Sequence, residues 1–388
     1  MRVPVFHGLS PLDLVRPRQA QTIFPFDAPQ RTEFYRARNA IYYLFLALGD
    51  RRGRLTVLMP DYNSGNEVLA IRAAGASIVY CPIGADLTMD PDEVERLCEI
   101  HRPDVLYVIH YAGWPQPISR FVELCHHRDM LLIEDCALAL LSEVDGRPLG
   151  SFGDWSVFCL YKTLPLPNGA LLVQNRGGLP IPAPPLRPAG APSTIGRTAE
   201  LFVQRARMRI GPAADALSAV KRGVGRTANA LDIRRANVGD IGFDLMQVDL
   251  SMSEISRWLL ERLDFASIRE RRVGNLRSLS AHIGEQVSCP LPSPETGVCP
   301  LFLPILVPDK RAVVDALRKD GVEALEFWND SIEPGGTEMS PHARFLREHV
   351  LELPLHQDLT ARHMTHMAEC LSRLDLRMSH ASHRILAA

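Results

Sequence analysis

The chain has 388 residues, a length that suits a two-domain enzyme or one large domain with a smaller companion. Hydrophobic residues make up 46% and charged residues 23% of the sequence, which is ordinary for a globular protein and excludes a chain that is disordered as a whole. The 43 Lys and Arg residues nearly balance the 45 Asp and Glu residues, giving a net charge of −2. Overall charge therefore gives no reason to expect binding to nucleic acid or to an acidic membrane surface.

The eight cysteines are widely spaced and form no CxxC pair. We interpret them as buried thiols of a cytoplasmic protein rather than as a disulfide framework or a zinc site. The first residues lack the apolar core of a signal peptide, and no run of 18 uncharged apolar residues occurs. We expect a cytoplasmic protein without a membrane span or a bound metal.

Short apolar runs alternate with segments of helical periodicity between about residues 37 and 175. The runs predict strands over 56–59, 77–80, 105–109, 130–134, 155–159 and 170–173. The segments between them predict helices over 40–48, 67–75, 91–101 and 117–128. This alternation indicates βαβ units, hence a mostly parallel sheet with helices on both faces. In such a sheet the ligand binds beyond the carboxyl ends of the strands.

The region 176–240 differs in composition from the rest of the chain. Residues 176–193 are rich in proline and predict an irregular connection, and residues 197–236 carry nine basic residues against three acidic ones in a mostly helical pattern. We interpret this basic segment as a solvated helical excursion on the surface. A site for a membrane, an acidic partner or a nucleotide remains the alternative.

The last third of the chain predicts a smaller domain. A long helical pattern covers 251–281, an apolar run covers 301–307, and helices follow over 311–321 and 360–374. We therefore divide the chain into a large domain over 1–250, which includes the connector and basic insertion at 176–240, and a region over 251–388 that contains an interdomain helix and a small α+β domain.

Polar residues follow several of the predicted strands directly. Asp135 comes after the run 130–134, Lys162 after 155–159, and His110 after 105–109. Because parallel strands end at the same edge of the sheet, Asp135 and Lys162 are expected to face one crevice. A buried carboxylate requires a cation nearby, so a plain ion pair is one reading of these two residues.

The sequence around these residues resembles that of the DegT/DnrJ/EryC1/StrS aminotransferases, which are fold-type I pyridoxal-phosphate enzymes. The matching motifs are His-Tyr-Ala-Gly at 110–113, Ile-Glu-Asp-Cys-Ala at 133–137, the glycine turn at 150–154, Phe-Cys to Lys at 158–162, and Asn-Gly at 168–169. The resemblance extends over about 33–375, with 176–240 unmatched. It implies an α/β fold, with a large domain built on a mostly parallel sheet and a smaller C-terminal α+β domain.

The resemblance also implies roles for individual residues. It makes Lys162 the Schiff-base lysine and Asp135 the partner of the cofactor's pyridinium nitrogen, which allows the cofactor to act as an electron sink. Arg38 lies where relatives have a hydroxyl residue, so an arginine is expected to bind the cofactor phosphate at the start of the first helix. The further cofactor-binding candidates are Asn39, Tyr62, Asn63, Ser64, His110 and Cys159.

Three positions depart from the family pattern. Leu138 replaces a His or Gln near the cofactor ring, Ser64 aligns with the aromatic residue that covers the ring, and Ser251 falls near an asparagine that relatives supply from the neighbouring subunit. These differences indicate a divergent branch with an altered substrate or reaction.

The resulting hypothesis is an aminotransferase that moves an amino group from an amino acid, expected to be glutamate, to a keto group of a nucleotide-linked sugar or natural-product intermediate. One alternative is another pyridoxal-phosphate reaction, such as elimination or carbon–carbon bond formation on an amino-acid-like substrate. The other is a non-catalytic regulator with the same fold. The resemblance further implies a homodimer, and no feature indicates a nucleic-acid partner.

Overall fold

In the computed structural model of the protein, the described residues are 1–19, 22–175, 181–210, 242–284, 287–329 and 339–378. Two sheets organise them. One is a seven-stranded sheet formed by residues between 31 and 174, and the other is a three-stranded sheet formed by residues between 302 and 354. The predicted α/β architecture with a second, smaller α+β unit is confirmed.

The large sheet contains seven of the first nine strands, and a short hairpin supplies the other two. The strands of the sheet are β1 (Arg31–Phe34), β2 (Thr56–Pro60), β3 (Ser77–Cys81), β4 (Val105–Ile109), β5 (Leu131–Asp135), β8 (Trp155–Cys159) and β9 (Ala170–Gln174), and the hairpin is β6 (Glu143–Val144) with β7 (Arg147–Pro148). Their order is β1-β9-β8-β5-β4-β2-β3, and the five strands from β8 to β3 are parallel. Strand β9 is antiparallel to both of its neighbours. Every residue of β4, β5 and β8 is buried, as expected for a sheet covered on both faces.

Helices surround the two sheets. They are α1 (Pro11–Val15), α2 (Ala37–Arg52), α3 (Asn66–Ala73), α4 (Pro91–His101), α5 (Ile118–Arg128), α6 (Leu160–Thr163), α7 (Ala191–Ile210), α8 (Glu254–Leu260), α9 (Phe265–Ser280), α10 (Lys310–Lys319), α11 (Pro341–His349) and α12 (Ala361–Ser372). Local chemistry sets their ends. In α4, for example, the Asp90 side chain caps the first turn and Pro91 occupies the first helical position.

Two of the differences from the sequence-based expectation concern the interdomain helix and the large sheet. The helix predicted over 251–281 is broken into α8 and α9, because Asp264 accepts a hydrogen bond from the Ser267 N–H and starts a new helix there. Strand β1 was not predicted, since four residues that pair only with β9 carry little periodic signal. The six predicted strands of the large sheet are confirmed to within one or two residues.

The small sheet has the order β10-β12-β11 and is antiparallel. Its strands are β10 (Phe302–Leu306), β11 (Leu325–Glu326) and β12 (Val350–Pro354). The N-terminal segment packs against this unit: Val3 forms a β-bridge with Val322, and the Val5 N–H donates to Glu323. The first residues therefore contact the small C-terminal unit, although the predicted domain boundary at residue 250 would assign them to the large one.

The region after the large sheet is only partly described. Residues 181–190 are irregular, apart from an isolated bridge at Arg187, as expected for the connector, and α7 begins at Ala191. Residues 211–236 of the basic segment lie outside the described residues. Among the helices that the structure describes, none is both long and apolar enough to cross a membrane.

Candidate active site

A cavity of about 670 Å³ lies at the carboxyl ends of β4, β5 and β8, where the large sheet faces the small one. Its wall includes Asp135, the last residue of β5, and Lys162 in α6, the single turn that follows β8. The two residues that the sequence singles out are thus brought together, 27 positions apart in the chain, at the edge of the sheet where ligands bind in open α/β folds.

Hydrogen bonds fix the Asp135 carboxylate from two sides. The Tyr107 hydroxyl donates to Oδ2 at 2.7 Å, and the Ala137 N–H donates to Oδ1 at 2.9 Å. Burial raises the pKa of Asp135 above its ordinary value, whereas the Tyr107 hydrogen bond, the Ala137 N–H and the charge of Lys162 act in the opposite direction. The carboxylate is therefore pre-oriented and sensitive to any cation that approaches it.

The short helix α6 is anchored at the carbonyl of Thr163, next to Lys162. Arg272 Nη2 and Gln357 Nε2 both donate to this oxygen at 3.1 Å. Arg272 also donates from Nη1 to the carbonyl oxygens of Pro300 and Leu301. The backbone beside the lysine is thus held by α9 and by the segment that follows β12.

Positive charge is concentrated at the start of α2. Arg38 lines the cavity, and its guanidinium donates to the Gly242 carbonyl. Arg36, the N-cap residue, is buried, and its Nε and Nη2 atoms have no hydrogen-bond partner among the described residues. Burial raises the pKa of Tyr161, a cavity residue, and the charges of Arg38 and Arg36 both lower it, so both guanidinium groups act on this part of the wall. Two arginines at a helix N-terminus favour an anion.

The predicted candidates after β2 divide into two groups. Ser64 lines the cavity, and its hydroxyl donates to Glu67. Tyr62 does not line it, because its ring packs among Tyr111, Phe327 and Trp328. Asn63 also lies outside the wall, where it closes the turn by accepting from the Gly65 N–H. Asn39, in the first turn of α2, is outside the wall as well and donates to the Gln247 carbonyl.

His110 also lies outside the cavity wall. Its Nδ1 accepts from the Gln116 N–H, so Nε2 carries the proton and donates to Glu134 at 3.2 Å. The Glu134 carboxylate accepts three further hydrogen bonds, from the N–H groups of Gly150, Phe152 and Gly153. These atoms lie near Cys136 in an arrangement with the ligand types of a metal site, but the imidazole and the carboxylate are already used by hydrogen bonds within the protein.

The remaining predicted positions are placed as follows. Cys159 and Leu138 line the cavity, and burial raises the pKa of the Cys159 thiol. Ser251 is buried outside the cavity wall, where its hydroxyl donates to the Met252 carbonyl.

Several cavity residues were missed by sequence reasoning. Those with ionisable side chains are His7, Glu67, Arg197, Arg272, Glu326, Glu352 and His356. Only two carried a usable signal: Glu352 is an acidic residue inside an apolar run, and Arg197 begins the basic segment. Of that segment, Arg197 reaches the cavity, whereas Arg205 pairs with Asp358.

Residues 37–179 match the model of the DegT/DnrJ/EryC1/StrS aminotransferase family. The chain is 30% identical over 139 residues to the GDP-perosamine synthase of Escherichia coli O157:H7, covering 35% of this chain and 38% of that protein. It is also 30% identical over 133 residues to the dTDP-4-dehydro-2,3,6-trideoxy-D-glucose 4-aminotransferase of Saccharopolyspora spinosa, covering 33% of this chain and 34% of that protein. The alignments thus span between a third and two fifths of the length of these relatives.

The fold is shared over a much longer stretch. The aminotransferase PseC of Helicobacter pylori, which is involved in the biosynthesis of pseudoaminic acid, superposes with a TM-score of 0.67 at 15% identity over 96% of this chain and 99% of its own. The match to the family model includes the part of the chain that carries Asp135 and Lys162, whereas the fold match includes both sheets. The resemblance drawn from the sequence is confirmed: residues 37–179 match the model of the DegT/DnrJ/EryC1/StrS aminotransferase family, and the chain has the fold of the aminotransferase PseC.

Proposed function

We propose that the protein is a pyridoxal-phosphate-dependent aminotransferase that transfers an amino group from an amino acid to a keto group of a nucleotide-linked sugar. The observation that carries the proposal is that Lys162 and Asp135 line one cavity at the carboxyl edge of the sheet, within the segment that matches the family. The names of the two relatives above, which concern GDP- and dTDP-linked sugars, support this substrate class.

The residues of the cavity fit this cofactor. Lys162 offers the primary amine for covalent attachment, and Asp135 offers a carboxylate for a protonated ring nitrogen. Arg38 in the cavity wall, and the buried Arg36, which precedes α2 and is not part of that wall, offer charge for a phosphate group; two guanidinium nitrogens of Arg36 lack partners among the described residues. When bound, pyridoxal phosphate supplies an electron sink for the carbanion formed at the substrate Cα.

The side chains of this chain perform the other tasks. Lys162 Nζ would take the proton from the substrate Cα and pass it to C4′ of the cofactor in the first half-reaction, and it would move a proton in the reverse direction in the second. Asp135, held by Tyr107 and Ala137, keeps the negative charge in one position during both steps. Leu138, Phe327 and Trp328 give this space apolar walls, which disfavour water beside the reacting atoms.

A borohydride trapping experiment tests the assignment of Lys162. Purified protein incubated with pyridoxal phosphate and reduced with borohydride should carry the adduct on the peptide that contains Lys162. A Lys162→Arg variant should give no adduct, and a Lys319→Arg variant serves as the matched control, because Lys319 lies on α10 outside the cavity. An adduct on Lys310 or Lys319 would exclude this mechanism.

Substrate assays separate the proposal from its alternatives. L-glutamate should convert the bound cofactor to its aminated form, as followed by absorbance, and a dTDP-4-keto sugar should then be released as the amino sugar. Release of an elimination or condensation product from an amino acid would favour another pyridoxal-phosphate reaction. A protein that binds the cofactor at Lys162 and converts no substrate would favour the regulator.

We also propose that the protein is a homodimer. The segment before α8 exposes Leu245 and Met246, which are 57% and 75% accessible. They are close in sequence to Ser251, near which the family resemblance places an asparagine supplied by the neighbouring subunit. Exposed apolar side chains of this size suit burial against a second copy. Light scattering at micromolar concentration should give twice the chain mass of 43.2 kDa, and a fully active monomer would contradict the proposal.

A further inference from the structure

Glu352 is the one charged residue of β12, and it lies in the middle of that strand. The strand is the central one of the small sheet, with Glu352 opposite Pro304 on one side and Leu325 on the other. Its side chain is half-buried and lines the same cavity as Lys162. An acid is an unfavourable choice for a buried strand, because apolar side chains pack better there and a carboxyl group must be desolvated.

Glu352 differs from the other cavity carboxyl groups in its hydrogen bonds. Glu67 accepts from Ser64, Asp135 accepts from Tyr107 and Ala137, and Glu326 accepts from Asn329. Within the part of the chain that the structure describes, no hydrogen bond or ion pair satisfies Glu352. The group is therefore available to a molecule that enters the cavity.

The titratable groups that interact with Glu352 come from three parts of the chain. Lys162 of α6 and Lys310 of α10 attract it, and Tyr62 lies near enough to be affected by its charge. Burial nevertheless raises the pKa of Glu352 to about 8, against the effect of the two lysines. At neutral pH the group is largely a carboxylic acid, which can both donate and accept a hydrogen bond.

An aromatic wall adjoins this carboxyl group. Phe327 and Trp328 both line the cavity, with ring centroids 4.3 Å apart and planes inclined by 24°. Tyr62 and Tyr111 pack behind Trp328 at 5.2 Å and 5.7 Å and keep its ring in place. Aromatic rings beside a neutral donor and acceptor provide both an apolar surface and a polar anchor.

We propose that Glu352 is a specificity-determining residue that hydrogen-bonds a hydroxyl group of the acceptor's sugar ring, with Phe327 and Trp328 forming the apolar wall beside that ring. The inference rests on the proposed function, since it assigns the sugar of the nucleotide-linked acceptor to the side of the cavity formed by the small sheet. A hydroxyl group suits a neutral carboxyl group, whereas an ammonium group would require the ionised form. A site built to pair with a hydroxyl also rejects analogues that lack it.

Calorimetric titration with pairs of probes tests this role without turnover. The probes are dTDP and dTDP-glucose, and GDP and GDP-mannose, and the gain in affinity from the sugar is the ratio of the two Kd values within a pair. In Glu352→Ala this gain should fall about 3- to 10-fold, the effect of losing one hydrogen bond, while the affinity for the free nucleotide is unchanged. Glu352→Gln, which keeps a donor and an acceptor in the same shape, should retain most of the gain.

Glu348→Gln is the matched control, because Glu348 is an exposed carboxylate of α11 that does not line the cavity. It should bind all four probes as the wild type does. If Glu352→Ala keeps the full sugar gain, the role of Glu352 is overturned while the proposed function stands. If the wild type binds neither pair, the nucleotide-sugar function is overturned and the role of Glu352 with it. Slower amination of the cofactor by glutamate in both Glu352 variants, with an unchanged sugar gain, would instead make Glu352 a proton-handling partner of Lys162 and overturn the inference.

Discussion

At the scale of single residues, the cavity holds carboxyl groups that are prepared for different tasks. Asp135 is fixed by a phenol from the neighbouring strand and by a backbone N–H of its own loop. Glu67 is bound to the turn at Ser64, and burial together with the charge of Asp135 raises its pKa. The charge of Lys162 lowers the pKa of Asp135, whereas the charge of Asp135 raises the pKa of Glu67, so Asp135 is the carboxylate better suited to remain ionised.

Replacing Asp135 by Asn should leave the cofactor bound but slow exchange of the amino-acid Cα proton by roughly 100-fold or more, since a fixed charge would be lost from the reacting system. Proton exchange of L-glutamate in deuterated buffer, followed by NMR, measures this rate. Asp154→Asn is a suitable control, because Asp154 accepts from the Leu132 N–H at the opposite end of the strands and does not line the cavity. Equal rates in wild type and Asp135→Asn would remove Asp135 from the mechanism.

At the scale of elements, strand β5 is tied to the turn that precedes β8. Glu134 is fully buried and points away from the cavity side used by Asp135, and its carboxylate accepts from Gly150, Phe152, Gly153 and His110. This contact gives a structural reason for two of the motifs noted in the sequence, the glycine turn at 150–154 and the histidine at 110. Both fix the ends of strands that carry the catalytic candidates.

Glu134→Ala should lower the free energy of unfolding by about 3–5 kcal/mol, because several buried donors would lose their acceptor at once. Glu134→Gln should lose less, since one carbonyl oxygen remains. Urea denaturation followed by circular dichroism measures both changes. Glu143→Ala removes a half-exposed carboxylate paired with Arg269 at 2.7 Å and should lose less than about 1 kcal/mol. Similar losses at positions 134 and 143 would contradict this view of the turn.

At the scale of the whole molecule, the N-terminal segment joins regions that are far apart in the chain. Its backbone contacts Val322, Glu323 and Asp358, and His7 lines the cavity beside His356, with ring centroids 6.2 Å apart. His356 Nε2 donates to the Pro4 carbonyl at 2.9 Å. Burial lowers the pKa of both histidines, and for His7 the value is about 4.

These buried neutral histidines predict a loss of stability in acid. The unfolded chain takes up a proton on His7 near its ordinary pKa of 6.5, whereas the folded protein does so only near 4. Between these values the unfolded state binds more protons, so stability should fall as pH decreases from 6.5 to 4, by roughly 3 kcal/mol for this group. Denaturation midpoints measured across this range should decline less in a His7→Gln variant. An equal decline in both proteins would exclude His7 as a cause.

The sequence by itself determined six of the seven strands of the large sheet and the meeting of Asp135 and Lys162 at one edge of it. Apolar runs separated by amphipathic helices specify parallel strands through local periodicity, and residues at the carboxyl ends of such strands must share one edge. Asp135 and Lys162 could therefore be assigned to one site before any coordinates were known. The glycines of the surrounding motifs supported this assignment, because glycine occurs where the backbone takes conformations that other residues rarely adopt. Gly113, for example, has φ of +107°, and a Cβ there would lie 2.3 Å from the Cys299 carbonyl.

Only the tertiary structure decided what completes the cavity. His7, Arg197, Glu352 and the Phe327–Trp328 pair come from four separate segments, and their meeting depends on how the small sheet and the N-terminal segment pack against the large sheet. The direction of each loop side chain was also beyond the sequence, so Tyr62 and His110, which follow strands as expected, turn into the interior instead of the wall. Periodicity reports the local path of the backbone, whereas these contacts depend on long-range packing and on hydrogen bonds between residues hundreds of positions apart.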